Sequence, residues 1–198
     1  ESRLLMLPWE NPDRSGERVA PAAVERMGLL RSREELMDGV RRILEGVLPV
    51  TGAEGILYVF PTTGGGSSFR IGAYAFRGGD PGSGELSIPD HYAPVREAML
   101  FRRTFFAEGK DAEKWSISPG GKRGGRPTGV AAVPVCIDES VAGAILGIRF
   151  DETRWNEPAG QVLEMAAFLA ARELARAKQQ YRMNRYLADQ EGLHLLVR

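Results

Sequence analysis

The sequence has little cysteine and little histidine. Cys136 is the single cysteine, which excludes an internal disulfide and a zinc site built from several thiolates. The two histidines, His91 and His194, are too far apart along the chain to act as helix-spaced metal ligands. Because Cys136 lies within an apolar run, we expect its thiol to be buried as a small hydrophobic group. Neither a metal site nor a Ser-His-Asp triad is expected.

An excess of charge of either sign is also absent. Among 198 residues, 26 basic and 26 acidic side chains give a formal net charge of +0. Nucleic acids and anionic membranes select a basic excess, so neither is an expected direct partner. No apolar run approaches the roughly 18 residues that a membrane span requires. Prolines and charges interrupt the first 20 residues, unlike a signal peptide, and the sequence therefore favours a cytoplasmic protein.

The first half of the chain contains clear helix and strand patterns. A short helix is expected in "APAAVERMGLL", and a second helix is expected to begin at Ser32, which forms a capping-box pattern with Glu35, and to end at Pro49. Aromatic and β-branched runs predict two strands joined by a glycine-rich turn. The elements expected next are strands at 54–60 and 69–77, a short strand in "ELSI", a helix at 92–101 and a strand at 103–107.

The second half begins with a long loop and ends with a long helix. Residues 108–128 are glycine-rich and basic, and loops of this length inside compact domains are usually functional or disordered. The apolar runs of "GVAAVPVCIDESVAGAILGIRF" (129–150) predict a hairpin that turns at "DES". Apolar residues at helical spacing then predict a helix over 158–189. The glycine-rich loops lack the Gly-Lys-Ser/Thr ending that binds phosphates in nucleotide hydrolases.

Three stretches, in this order along the chain, resemble the GAF domain, a small-molecule sensing module. They are "REELMDGVRRILEGVLPVTGAEGILYVF", "GELSIPDHYAPVREAMLFRRTFFAEG" and "GVAAVPVCIDESVAGAILGIRFDETRWNEPAGQVLEMAAFLAARELARA". Antiparallel hairpins with helices on one face make an α+β fold. The resemblance implies a six-stranded antiparallel sheet with the N- and C-terminal helices on one face and a variable loop and helix region on the other. The expected parts are an N-terminal arm and short helix (1–31), the GAF-like domain (32–178) and a helical extension (179–198).

The resemblance also implies a ligand pocket between the sheet and its variable cover. Such pockets are mostly apolar with a few placed polar groups. Strand alternation puts Tyr58 and Phe60 on the same side of their strand, and it likewise puts Tyr74 and Phe76 on the same side of theirs. Which face forms the pocket is left open, and either pair fits a sheet core as well as a pocket. The other candidate ligand contacts are Arg70, His91, Tyr92, Arg96, Thr104, Trp115 and Arg149.

Catalysis is not expected. Some GAF-like proteins reduce methionine sulfoxide, but that chemistry needs a resolving cysteine, and Cys136 has no second cysteine. The cysteine–histidine pair of chromophore-bearing relatives is also absent. We therefore predict a non-catalytic sensor domain in which a ligand of unknown identity orders the 108–128 loop and the final helix transmits the change. The cofactor, if any, is unknown.

Two alternatives accompany this prediction. The first is a scaffold that binds no ligand and serves for dimerisation. With either function we predict a homodimer through the terminal helices, since the final helix continues beyond residue 178 with few apolar residues. The second is a cyclic-nucleotide or cyclic-di-GMP site, because "RGGD" has an Arg-x-x-Asp spacing resembling the inhibitory site of diguanylate cyclase relatives. Arginine grips phosphate bidentately. The possible phosphate contacts are Arg77, Asp80, Lys122, Arg123 and Arg126.

Overall fold

The computed structural model describes residues 21–62, 69–78, 88, 91–114, 126–151 and 154–196, with the side chains of those between Arg33 and Leu187. Four helices and five strands lie in this part of the chain. In chain order they are α1 (Pro21–Thr51), β1 (Gly55–Pro61), β2 (Phe69–Phe76), α2 (Ala93–Phe101), β3 (Phe105–Glu108), α3 (Lys110–Glu113), β4 (Gly129–Ile137), β5 (Ser140–Arg149) and α4 (Glu157–Leu196).

The first helix, α1, is continuous from Pro21 to Thr51, so the expected division into two helices at Ser32 is wrong. The residues on both sides of Ser32 are strong helix formers, and one serine inside a helix costs too little to break it. Farther along α1, Val40 and Leu44 are fully buried against the sheet. The helix ends beyond its internal proline, where Gly52 adopts a φ of 69°, the left-handed conformation that favours glycine after a helix.

The five strands form one antiparallel sheet in the order β2-β1-β5-β4-β3. The α+β class is therefore confirmed. The expected sixth strand in "ELSI" is not confirmed. Ile88 is buried but is not part of a strand, and residues 85–87 lie outside the described residues. The β4–β5 hairpin turns where expected, at Asp138, whose φ is 54°.

Each face of the sheet carries a separate apolar core. The helix face, which we define as the face covered by α1 and α4, is packed with side chains such as Ile56, Ile145 and Leu163. The opposite face is covered by α2 and includes Leu57 and Leu146. Because both faces are covered, β4 and β5 are almost continuously apolar rather than alternating.

The long final helix, α4, begins one residue before the expected position and extends to Leu196. The Asn156 side-chain oxygen accepts a hydrogen bond of 2.9 Å from the Ala159 backbone N–H, which caps the helix. Helices α1 and α4 run antiparallel, with Gly39 close to Glu173. Both helices continue through the expected domain boundaries at 31–32 and 178–179. None of the helices in the described residues is long and apolar enough to cross a membrane.

Candidate functional site

The two candidate aromatics of β1 lie on the helix face. Tyr58 is fully buried, its hydroxyl donates a hydrogen bond of 3.1 Å to the Ala142 carbonyl, and its ring stacks 6.0 Å from that of Phe60. Both rings pack among side chains of α1, and Gly72 of β2 approaches them closely. On this face, the pair forms part of the core that attaches the terminal helices to the sheet.

The two candidate aromatics of β2 lie on the opposite face. A bulge in the β1–β2 pairing, at Gly72, shifts the alternation of β2, so that Ile71, Tyr74 and Phe76 all pack toward the α2 side. The Tyr74 and Phe76 rings are 5.9 Å apart. Tyr92, just before α2, belongs to the same cluster, and burial raises the pKa of its phenol. The structure thus places three candidate residues in the apolar cluster of one face of the sheet.

The charged and polar candidates do not converge on that cluster. Arg70, His91 and Arg96 are exposed, and His91 has a φ of 59°. Arg77 is exposed as well, while Arg126 lies 3.6 Å from Glu113 in an ion pair. Four candidates lie outside the described residues: Asp80, Trp115, Lys122 and Arg123.

Arg149 lies at the end of β5 on the helix face and is 4% exposed. Its guanidinium donates hydrogen bonds to the main-chain carbonyls of Thr51, the last residue of α1, and Arg154, just before α4. It also lies 4.2 Å from the centre of the Trp155 ring. Burial lowers the pKa of Arg149. In this position, Arg149 joins the end of one terminal helix to the start of the other.

Trp155 completes this junction and is a residue that sequence reasoning missed. Its indole lies over Gly129 and Gly147, where an added Cβ would come within 2.9 Å and 2.7 Å of the ring. Its backbone N–H donates a hydrogen bond of 2.7 Å to a carboxylate oxygen of Glu108. The sequence signal for this contact was the presence of Gly129 and Gly147 in apolar strands, because a glycine in a strand often marks a place where another group approaches the backbone closely.

A groove of about 430 Å³ lies beside the outer end of β4, between α4 and the turn that joins α2 to β3. Strand β3 pairs only with Gly129–Ala132, so the rest of β4 has no strand neighbour on this side among the described residues. Cys136 is consequently exposed in the groove, and the expectation that its thiol is buried is wrong. Thr104, a candidate ligand contact, also lines the groove and donates a hydrogen bond of 2.8 Å to Glu164.

No group of three or more histidine, cysteine or carboxylate side chains in the described residues is arranged to hold a metal ion.

No family model matches the sequence, and no curated protein matches it.

Solved structures do resemble the fold. The blue-light absorbing form of the PixJ GAF domain from Thermosynechococcus elongatus has a TM-score of 0.58 at 13% identity, over 82% of this chain and 96% of that chain. The GAF-B domain of DevS from Mycobacterium smegmatis has a TM-score of 0.55 at 18% identity, over 75% and 98% of the two chains. The type II free methionine-R-sulfoxide reductase of Thermoplasma acidophilum has a TM-score of 0.54 at 10% identity, over 73% and 96%. The chain therefore has the fold of a GAF domain.

Proposed function

We propose that this chain is a cytoplasmic, non-catalytic sensor domain of a signalling protein, which binds a small molecule on the opposite face of its sheet. The observation that carries the proposal is α4, which packs on the helix face through Leu163 and Leu174 and then extends, as part of the same helix, to Leu196. A helix that is both part of the core and longer than the sheet is suited to transmit a change in packing.

The opposite face supports the ligand-binding part of the proposal. Tyr92 places a phenol beside the apolar side chains of that face, and pockets for small molecules combine apolar walls with few polar groups. The 108–128 loop begins and ends beside this face, where the Gly109 N–H donates a hydrogen bond of 2.8 Å to the Thr128 carbonyl. Ala112 of α3 is fully buried in the same cluster. A ligand that contacts this loop would therefore act directly on the sheet.

Native mass spectrometry of the purified protein tests ligand binding. We expect a mass excess that disappears on denaturation and gives the size of the bound molecule. Tyr92→Phe removes one hydroxyl from the ligand face and is expected to raise the Kd about ten-fold, the loss of about 1.4 kcal/mol that one hydrogen bond supplies, and so to lower the bound fraction. Tyr186→Phe, at an exposed position of α4, is the control and keeps the wild-type fraction. A protein without bound mass favours the scaffold alternative.

Exposed apolar side chains on α4 support the second candidate, a homodimer through the terminal helices. Met183 and Leu187 are 61% and 53% exposed, and they lie four residues apart, on the same face of the helix. Tyr186, three residues from Met183, is 63% exposed beside them, and contiguous exposed apolar side chains are typical of interaction surfaces. We place the contact between copies on this part of α4 and on α1, which runs antiparallel beside it.

Sedimentation velocity at tens of micromolar protein tests the dimer. We expect the wild type to sediment as a dimer. The double variant Met183→Glu/Leu187→Glu is expected to sediment as a monomer, because it places charges in an apolar contact. Asn184→Glu adds one negative charge at an exposed position between them and serves as the control. A monomeric wild type, or a double variant that remains dimeric, contradicts this interface.

Binding of a cyclic nucleotide or cyclic dinucleotide has weaker support. Arg77 is exposed just after the end of β2, but Arg126 already lies beside Glu113, which competes with a phosphate for its guanidinium. The non-catalytic part of the proposal is supported by the cysteine content. A reductase cycle that ends in a disulfide needs a second thiol, and the chain has one cysteine.

A further inference from the structure

The groove beside β4 combines an apolar floor with a cationic wall. Its floor and back are formed by Val133, Pro134, Ala167 and Ala171, and Phe168 of α4, which is 62% exposed, forms one side. Its volume of about 430 Å³ lies within the range of roughly 300–1,000 Å³ that is usual for small-molecule sites. An apolar floor of this kind accommodates a hydrocarbon or aromatic body.

The cationic wall consists of Arg102 and Arg103, in the turn after α2. Within the described residues, neither guanidinium has a carboxylate within the 4.0 Å of an ion pair. Arg102 adopts a φ of 50° and donates a hydrogen bond to the Glu139 carbonyl, and Arg103 lies 5.1 Å from the centre of the Phe101 ring. These contacts hold both cations at the edge of the groove and leave guanidinium N–H groups for an anion.

The one acidic side chain in the groove is already engaged. Glu164 accepts the hydrogen bond from Thr104, which ties α4 to the turn that carries the arginines. The lining residues are two arginines and one glutamate, so the groove keeps a net positive charge. A ligand that fits it must therefore have an apolar body and an anionic end.

We infer that this groove is a binding site for a small amphipathic organic anion, such as an acyl or aryl carboxylate, with its apolar part on the β4–α4 floor and its anionic group at Arg102 and Arg103. The site lies on the α4 side of the sheet edge rather than beneath α2. The inference about the groove therefore does not depend on ligand binding at the opposite face of the sheet.

The thiol of Cys136 allows occupancy of the groove to be measured directly. It lines the groove and is the only thiol in the chain, so its alkylation by iodoacetamide reports whether the groove is occupied. The reaction is followed by mass spectrometry at a pH of about 9, above the value of about 8.5 of a free thiol, because partial burial raises the pKa of Cys136. Sodium octanoate is the probe, and octylammonium, which has the same chain length and the opposite charge, is the matched comparison.

We expect octanoate to slow alkylation of Cys136 saturably, while octylammonium leaves the rate near that of the unliganded protein. In Arg103→Gln, the octanoate concentration for half-protection is expected to rise about ten-fold, as loss of a charge-assisted contact predicts. Arg42→Gln, at an exposed position on α1 outside the groove lining, is expected to keep the wild-type value.

Three results would overturn the inference. One is the absence of saturable protection by octanoate, and another is equal protection by octanoate and octylammonium. The third is protection that rises with protein concentration in the absence of octanoate, which would show that a second copy of the chain covers the groove.

Discussion

Replacement of Gly143 by alanine is expected to destabilise the protein by about 3 kcal/mol, the upper part of the usual cost of overpacking a core. A Cβ at this position would lie 2.4 Å from the main-chain oxygen of Val59 and 2.8 Å from the Tyr58 ring. The oxygen belongs to β1, an interior strand of the sheet, and cannot move without distorting the β1–β5 pairing. The unfolded-state entropy gained by alanine, about 0.4–1 kcal/mol, is too small to offset this contact.

Urea denaturation followed by circular dichroism measures this effect. For a chain of this size, the expected loss corresponds to a fall of about 6–12 °C in Tm. Gly46→Ala is the matched control, because Gly46 lies in α1 with nothing within 4 Å of its added Cβ. That variant is expected to gain up to about 1 kcal/mol from helix propensity. Equal effects of the two substitutions would show that the strand at Gly143 tolerates a side chain.

Replacement of Arg149 by alanine is expected to cost about 3 kcal/mol. The guanidinium is 4% exposed and donates to two main-chain carbonyls, and hydrogen bonds from charged groups contribute about 1.5–3 kcal/mol each. The alanine variant also removes the cation from the face of the Trp155 ring, where it lies 4.2 Å from the ring centre. The Thr51 carbonyl, at the end of α1, would then be buried without this donor.

The same denaturation experiment separates geometry from charge at this position. Arg149→Lys keeps the charge but lacks the planar fork that spans both carbonyls, so it is expected to recover less than half of the loss. Arg154→Ala is the control. The Arg154 side chain is 88% exposed, so the variant should change the free energy of unfolding by less than about 0.5 kcal/mol. Full recovery by lysine would show that the contribution of Arg149 is electrostatic rather than geometric.

The elements that depend on local pattern were predictable from the sequence. The expected helix at 92–101 corresponds to α2, and the expected hairpin at 129–150 corresponds to β4 and β5 within a residue. The signals there were periodicity and turn chemistry, which act over a few residues. The same local signals misplaced the start of α1, because a capping-box pattern inside a run of strong helix formers does not begin a new helix.

The arrangement of the site depends on contacts that local patterns do not encode. The face occupied by Tyr74 is set by a bulge at Gly72, which shifts the strand alternation by one residue. The exposure of Cys136 follows from the short length of β3, which leaves the end of β4 at the sheet edge. Arg149 was expected to contact a ligand. In the structure its side chain donates a hydrogen bond to the main-chain carbonyl of Thr51, 98 positions away along the chain. Because every residue has the same main-chain carbonyl, local sequence patterns do not identify this partner.

The junction at Arg149 has a mechanical consequence. It fixes the first turn of α4 to the sheet and to the end of α1, whereas the last part of α4 lies farthest from this point. Helix α4 packs on the sheet as far as Leu174, and the helix from there to Leu196 spans about 33 Å, so a tilt of about 5° would displace its far end by about 3 Å. In the sensor proposed above, a small shift of the sheet would be enlarged in this way along the part of α4 that extends beyond the core.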